Sequence, residues 1–228
     1  MNRDAFLARV RTAAESGRRY PVHVRNDLER RQGYADMGLD LAQRYVQEMT
    51  AVGGRGIVVA DLAAARAELV KLFRSYEPRS ALCWKHPTLE RLGLAELLAT
   101  ERIERIDFDA AQLLSRDAQR AKFLSADLGI TGASAVVAET GSLVMAHGPR
   151  TERLASLLPP VHAAIVERSQ IAADLFDVFE RLPALADPAG PPSNVTFITG
   201  PSKTGDIEMK LVTGVHGPGK FHVIVVDA

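Results

Sequence analysis

One segment of the sequence concentrates residue types that bind small anions. Residues 199–208 read Thr-Gly-Pro-Ser-Lys-Thr-Gly-Asp-Ile-Glu and follow an apolar run that predicts a strand. A Gly/Ser/Thr turn that opens a helix, here expected over residues 206–211, leaves backbone N–H groups free at the positive end of the helix dipole. We therefore expect a small carboxylate or phosphorylated ligand at this turn, contacted by Gly200, Ser202, Lys203, Thr204 and Asp206.

The same turn also has a purely structural interpretation. Ser202 and Thr204 would cap the helix, while Asp206 and Glu208 would offset its dipole and compete with a bound anion. The segment is not a P-loop, because the order Gly-x-x-x-x-Gly-Lys-Ser/Thr is absent. Both interpretations, an anion site and a helix cap, follow from the residues.

A second candidate is a predicted hairpin, in which apolar runs at 133–138 and 142–146 flank a Gly-containing turn. A carboxylate at such a turn is accessible, so Glu139 is a candidate catalytic base or nucleophile. Thr140, Gly141 and Ser142 are expected to contact the same ligand. The alternative is that Glu139 is the solvated tip of the hairpin.

The third candidate is the glycine-rich segment 213–219. Its glycines leave the imidazole of His216 accessible as an acid, base or ligand, and Gly217 would lie against the bound molecule. A loop histidine can equally be a solvated turn residue. Weaker candidates are His147 at a predicted strand end, Arg150 and Arg153 on a predicted helix, and His162, expected as a hydrogen-bonded residue at a sheet edge.

Composition limits the chemistry further. One cysteine, Cys83, excludes an internal disulfide and a thiolate-held cluster, and no dinucleotide, serine-hydrolase or zinc-helix motif occurs, so we expect no cofactor or metal in this chain. The 28 basic and 28 acidic residues balance, which disfavours nucleic acid and anionic membranes as partners. Without a secretion signal or a run of about 20 apolar residues, a cytoplasmic location is expected.

The remaining sequence predicts an α/β scaffold for these segments. Strands are expected at 57–60, 80–84, 103–108, 161–166, 195–199 and 221–226, interleaved with helices at 62–76, 110–124, 151–158 and 169–182. Interleaving of this kind predicts a mostly parallel sheet covered on both faces, which the 133–146 hairpin makes mixed. Residues 1–52, mainly helical, are expected to cap the domain formed by residues 53–228.

Two helix details follow from spacing alone. The helix at 110–124 is expected to bury Leu113, Leu114, Ala118 and Ala121, and Ser169 to cap the next helix but one. Because ligands in such sheets bind at the carboxyl ends of strands, we expect the hairpin, the 200–206 turn and the 214–218 turn to converge on one crevice.

Four blocks of the sequence together resemble the LUD domain family, of the lactate-utilization protein C kind. They are residues 138–143, Pro159-x-x-His162, residues 199–208 and residues 214–218. Each block is modest alone, whereas the ordered set is specific, and the helical start and early β–α steps extend the likeness to nearly the whole chain.

The resemblance implies a fold similar to the sugar-phosphate isomerase and coenzyme A transferase group, a three-layer α/β/α sandwich. It also implies a cluster-free accessory role in oxidising L-lactate to pyruvate, beside partners that carry iron–sulfur clusters. Two alternatives stay open: an independent isomerase, hydrolase or acyl/CoA-transferring enzyme that uses Glu139, and a ligand-sensing or assembly protein without catalysis. Assembly into a homo-oligomer is also open.

Overall fold

The computed structural model describes residues 2–17, 40–148, 153–182, 192–205 and 211–227. The chain divides into two compact units, Met1–Gln32 and Gly33–Ala228. In the first unit the described residues form helix α1, Arg3–Gly17. Within the described ranges no helix combines the length and the apolar character that crossing a bilayer requires.

The second unit contains the other elements. Its strands are β1 (Arg55–Val59), β2 (Ser80–Cys83), β3 (Glu104–Ile106), β4 (Leu128–Thr131), β5 (Ala135–Val137), β6 (Ser142–His147), β7 (Val161–Glu167), β8 (Ile171–Ala172), β9 (Asn194–Ile198), β10 (Lys203–Thr204), β11 (Val212–Thr213) and β12 (Lys220–Val226). Its helices are α2 (Leu41–Ala51), α3 (Leu62–Tyr76), α4 (Pro87–Arg91), α5 (Leu94–Thr100), α6 (Phe108–Gln112), α7 (Arg116–Leu124), α8 (Leu154–Leu157) and α9 (Leu175–Arg181).

Six parallel strands form the central sheet, in the order β1-β12-β7-β4-β2-β3. The inner strands are apolar almost throughout, as expected when helices cover both faces of a parallel sheet. Helix α2 packs closely on β1 because Gly54 and Gly56 have no side chains and leave room for Met49 and Val46. Asp61 caps α3 as its position predicts, accepting a hydrogen bond from the Ala64 N–H. The predicted α/β class with a mostly parallel sheet is confirmed.

The hairpin occupies a different place from the predicted one. Strands β5 and β6 pair antiparallel, but they belong to a separate four-stranded sheet, in the order β8-β5-β6-β9. Strand β9, expected in the parallel sheet, pairs antiparallel with β6 here. Its residues are exposed or half-buried, so it suits a surface sheet and lacks the continuous burial of the central strands.

Two helix predictions were wrong. The helix expected at 110–124 is broken into α6 and α7, because Ser115 caps α7 by accepting from the Ala118 N–H, and Leu113 is 89% exposed. Residues 168–170 form a 3-10 turn and lead into β8, so α9 begins later and is capped by Asp174 instead of Ser169. The helix predicted at 206–211 falls mostly on residues 206–210, which lie outside the described residues.

Candidate functional site

The last turn of α2 is where two of the predicted site segments meet. Gly141 lies against Met49 and Gly200 against Val52: a Cβ on Gly141 would sit 2.3 Å from the Met49 nitrogen, and one on Gly200 would sit 2.7 Å from the Val52 carbonyl oxygen. Both glycines also have positive φ, 64° and 86°. Only glycine meets both conditions without strain, so these residues let two loops dock on one helix end.

A chain of three hydroxyl groups joins those two loops. The Ser142 Oγ lies 2.7 Å from the Thr140 Oγ1 and 2.7 Å from the Thr199 Oγ1. Ser142 is buried. Because each hydroxyl can donate and accept, the three groups satisfy one another and connect the hairpin turn to the residue after β9.

The third segment joins through Ser202. The Ser202 N–H donates to the Pro218 carbonyl, the Gly214 N–H donates to the Ser202 carbonyl, both at 2.9 Å, and Gly217 lies beside the Ser202 side chain. We call residues 140–142, 199–203 and 214–218 the motif cluster. Its contacts bring together the three turns that the sequence expected in one crevice.

Lys203 has a role that the sequence did not predict. Lys203 and Thr204 form β10, which pairs antiparallel with β11, where a turn into a helix was expected. The Lys203 Nζ donates to the Val52 carbonyl at 2.5 Å and lies over Gly53. The ammonium therefore neutralises the negative end of α2, and two of its three N–H groups are free of that contact.

The two proposed catalytic residues differ in their surroundings. Glu139 is half-buried, and its N–H donates to the Ala173 carbonyl at 3.0 Å. Among the described residues its carboxylate has no hydrogen-bond or ion-pair partner. His216 is exposed on the loop before β12. Asp206, the remaining predicted ligand contact, lies outside the described residues.

The motif cluster lies at the amino ends of the central strands. The start of α2, at Asp40, is tied through Arg168 to Asp227, which follows β12, while α2 ends beside Gly53 and Gly54, just before β1. Residues 214–218 likewise precede β12. The expectation that these turns sit at carboxyl ends was wrong, because it assumed that β9 belongs to the parallel sheet.

At the carboxyl ends the structure shows a group of residues that the sequence interpretation missed. His86 follows β2 and lies over Gly132, which follows β4; a Cβ on Gly132 would be 2.5 Å from the His86 Nδ1. From these neighbouring strands the chain departs in opposite directions, to β3 and to β7, which makes this a topological switch point. The signal was His86-Pro87 three residues after a strand, because proline is common at the first position of a helix.

His86 is used structurally at that point. Its Nδ1 accepts from the Thr88 N–H at 3.3 Å and caps α4, and burial lowers its pKa below the ordinary value. The Glu167 carboxylate beside it accepts from the Thr88 hydroxyl and from Arg91. These four residues, His86, Thr88, Arg91 and Glu167, are therefore partnered with one another.

The other predicted histidines are interior. His162 lies in β7, third of the six strands, and so is not at a sheet edge: its Nε2 is 2.9 Å from the Thr131 hydroxyl and its ring stacks on Phe221. Burial lowers the pKa of His162 to about 3. His147 is buried, 3.0 Å from the Thr196 hydroxyl.

Arg153 is exposed before α8, and Arg150 lies outside the described residues. Across the described residues, no three His, Cys, Asp or Glu side chains are grouped to hold a metal ion.

The segments of the motif cluster also occur in a known protein family. The family model of the LUD domain matches residues 42–226, which include every segment of the motif cluster. This chain belongs to the LUD domain family. A solved structure of a DUF162 family protein from Deinococcus radiodurans, 21% identical, superposes with a TM-score of 0.56 over 82% of this chain and 99% of that one, and it shows the same fold.

Curated relatives match part of this LUD chain. The chain is 35% identical over 157 residues to lactate utilization protein C of Halalkalibacterium halodurans, and the match covers 68% of this chain and 66% of that protein. It is 34% identical over 150 residues to lactate utilization protein C of Bacillus subtilis, covering 63% and 60%. The match thus spans less than two thirds of either relative.

Proposed function

We propose that this LUD protein is the cluster-free accessory subunit of a system that oxidises L-lactate to pyruvate. The observation that carries the proposal is the family match over residues 42–226, together with relatives named for lactate utilization. In this system, partner proteins with iron–sulfur clusters carry the electrons.

The chemistry of the sole cysteine supports that division of labour. Cys83 is buried in β2, and burial raises the pKa of its thiol to about 12. A cluster ligand must be a thiolate, commonly one of four, and this residue is a single neutral thiol inside the sheet. The donor set of this chain therefore does not fit a cluster of its own.

The proposed ligand of the motif cluster is a small carboxylate or phosphorylated anion. Val52 holds the Lys203 ammonium in place, and its remaining N–H groups are available for charge-assisted hydrogen bonds. Ser202 directly precedes Lys203 in the chain. The hydroxyls of Thr140, Ser142 and Thr199 line the neighbouring loop junction. This arrangement supports an anion site without a helix dipole, because Lys203 and Thr204 lie in β10.

Reconstitution tests the accessory role. The full chain, purified with the iron–sulfur proteins that accompany it in its native cell, should support lactate-dependent reduction of a dye. Omitting the chain from the reassembled mixture should abolish the reaction. An undiminished rate without it would reject the accessory role.

A thermal-shift titration tests the ligand site. L-Lactate, pyruvate or phosphate at about a hundred times its dissociation constant should add about 2.7 kcal/mol of stability at fixed ionic strength. The variant Lys203→Met should lose the shift that phosphate induces. Lys122→Met removes another surface ammonium, which pairs with Glu104, and should keep the shift. Equal shifts in both variants would place the ligand elsewhere.

Glu139 separates the accessory role from an independent enzyme. Its carboxylate is unpartnered within the described residues, the state expected of a base awaiting a substrate. We expect Glu139→Gln to leave lactate oxidation by the reassembled system within about threefold, a loss below about 1 kcal/mol. A loss of a thousandfold or more, or a hydrolase or isomerase activity of the isolated chain that the variant removes, would favour the enzyme.

A further inference from the structure

Strand β1 has α2 on one face and a groove on the other. None of the residues that line this groove belongs to the motif cluster. It lies between α3 and this edge strand and has a cavity volume of about 240 Å³. Its walls are Arg55 and Ile57 of β1, Leu72 and Tyr76 of α3, and His222 and Ile224 of β12. Because a single water needs only about 10–15 Å³ of such volume, the groove has room for a small metabolite.

A hydrogen-bonded tyrosine–histidine pair forms the polar end of this groove. The Tyr76 hydroxyl lies 2.9 Å from the His222 Nε2, and the two rings meet edge to face at 5.5 Å. Burial, then the charges of Arg55 and Lys220, lower the pKa of His222 to about 4. The imidazole is therefore neutral at pH 7, and the pair presents uncharged hydrogen-bonding groups.

Arg55 gives the groove an uncompensated positive charge. It is the cross-strand neighbour of His222, so the two side chains lie side by side on the face that α3 covers. No carboxylate of the described residues forms an ion pair with it. The acidic side chain in the groove wall, Glu68, is paired with Lys71 at 2.5 Å.

An apolar surface adjoins these polar groups. Ile57 is 40% exposed although it lies on a strand of the central sheet, and Leu72 faces it from α3. A guanidinium, a hydroxyl–imidazole pair and an aliphatic wall within one small groove match a molecule with a carboxylate, a polar substituent and a short alkyl part.

We propose that this groove is a binding site for a short-chain carboxylic acid. Arg55 receives the carboxylate, Ile57 and Leu72 receive the alkyl part, and the Tyr76–His222 pair hydrogen-bonds a substituent on the carbon next to the carboxylate. The groove uses none of the motif-cluster residues, so the proposal holds whether or not the chain acts in lactate oxidation.

Histidine NMR of the full chain provides the test, with L-lactate as the probe because it carries all three groups. L-Lactate should shift the ring resonances of His222 in a saturable way, and 1,2-propanediol, which lacks the carboxylate, should not. Arg55→Gln should weaken lactate binding at least tenfold, and Tyr76→Phe severalfold. Arg74→Gln is the matched control: this exposed arginine lies in α3 outside the groove wall, and the variant should bind as the parent does.

The outcomes decide the proposal. Unmoved His222 resonances, equal binding by the Arg55 and Arg74 variants, or an equal response to 1,2-propanediol would each overturn it. Lys203→Met distinguishes the two sites: loss of the His222 response in that variant would assign lactate to the motif cluster and reject the groove. If Arg55→Gln disturbs folding, the Tyr76→Phe variant still reports on the groove.

Discussion

The two ends of the central sheet are held together by different forces. At the carboxyl ends, ion pairs connect the elements: Arg168 bonds both Asp40 and Asp227, and Arg91 bonds Glu167. At the amino ends, loops dock through glycines and a chain of hydroxyls, and Lys203 is bound to a carbonyl. Ligands of parallel sheets usually bind at carboxyl ends. Here these ion-paired charges neutralise one another, whereas at the amino ends Lys203 keeps N–H groups beyond its contact with Val52.

The largest expected effect is at the amino end. Gly141→Ala places a Cβ 2.3 Å from the Met49 nitrogen at a φ of 64°, so the hairpin turn must leave α2. We expect a loss of about 3 kcal/mol in the free energy of unfolding, measured by urea denaturation. Gly205→Ala, whose Cβ would meet nothing within 4 Å, is the control. Similar losses in both variants would remove close packing as the basis of the cluster.

The second largest effect is expected from acid, because the two ends of the sheet should lose stability in different pH ranges. His162 has a folded pKa of about 3, below its unfolded value of about 6.5, so the unfolded chain takes up the proton first. The contribution of neutral His162 to the free energy of unfolding is therefore fully present above pH 6.5. It falls by about 1.4 kcal/mol per pH unit as the pH drops toward 3. His222, pKa about 4, adds to the slope down to that pH.

The ion pairs at the carboxyl ends should weaken only at a lower pH. A hydrogen bond from Arg168 lowers the pKa of Asp40, so this pairing weakens only below the usual carboxyl range. Denaturation curves from pH 7 to 4.5 should therefore report the histidines. His162→Asn should flatten the slope, and the exposed His216→Asn should keep it; a slope unchanged by the first variant would contradict the assignment.

Removing the central hydroxyl of the chain should have a smaller effect. Ser142→Ala removes the buried hydroxyl that bonds both Thr140 and Thr199, at an expected cost of about 1 kcal/mol. Because no charge is involved, the loss should be the same at 50 mM and 500 mM NaCl. A loss that disappears in high salt would show that this end also depends on charge.

The smallest effect is expected at the carboxyl end. Arg168→Gln removes two exposed ion pairs, so we expect the smallest loss of stability of this series at low salt and a still smaller one at 500 mM NaCl. Asp40→Asn keeps an oxygen to cap α2 and should cost less than Asp40→Ala, which removes the cap as well. A salt-independent loss in Arg168→Gln would contradict the comparison.

Local signals allowed much of the fold to be predicted. Strands β7 and β12 are continuous apolar runs, and Asp61 marks the start of α3, so each was recognisable from its own residues. The break at Ser115 was missed because the apolar spacing of Leu113 and Leu114 continues across it. A cap and a periodic face competed there, and the cap prevailed.

The site depended on pairings that sequence spacing does not reveal. The blocks of the motif cluster were predicted as a group, but their end of the sheet depended on which sheet β9 joins. His86 is near Gly132 only because β2 and β4 are neighbours, and Tyr76 meets His222 across 146 residues of chain. Non-local contacts of this kind leave no local residue pattern.

The place of β12 in the sheet has a consequence for synthesis. This strand lies between β1 and β7, and Arg55 aligns with His222, so β1 has no neighbour in the sheet until about 165 more residues have been translated. At about 5–20 residues per second, the open edge of β1 waits roughly 8–30 s on the ribosome. Because β12 is synthesised last and pairs with both β1 and β7, completion of the sheet is a late event in folding.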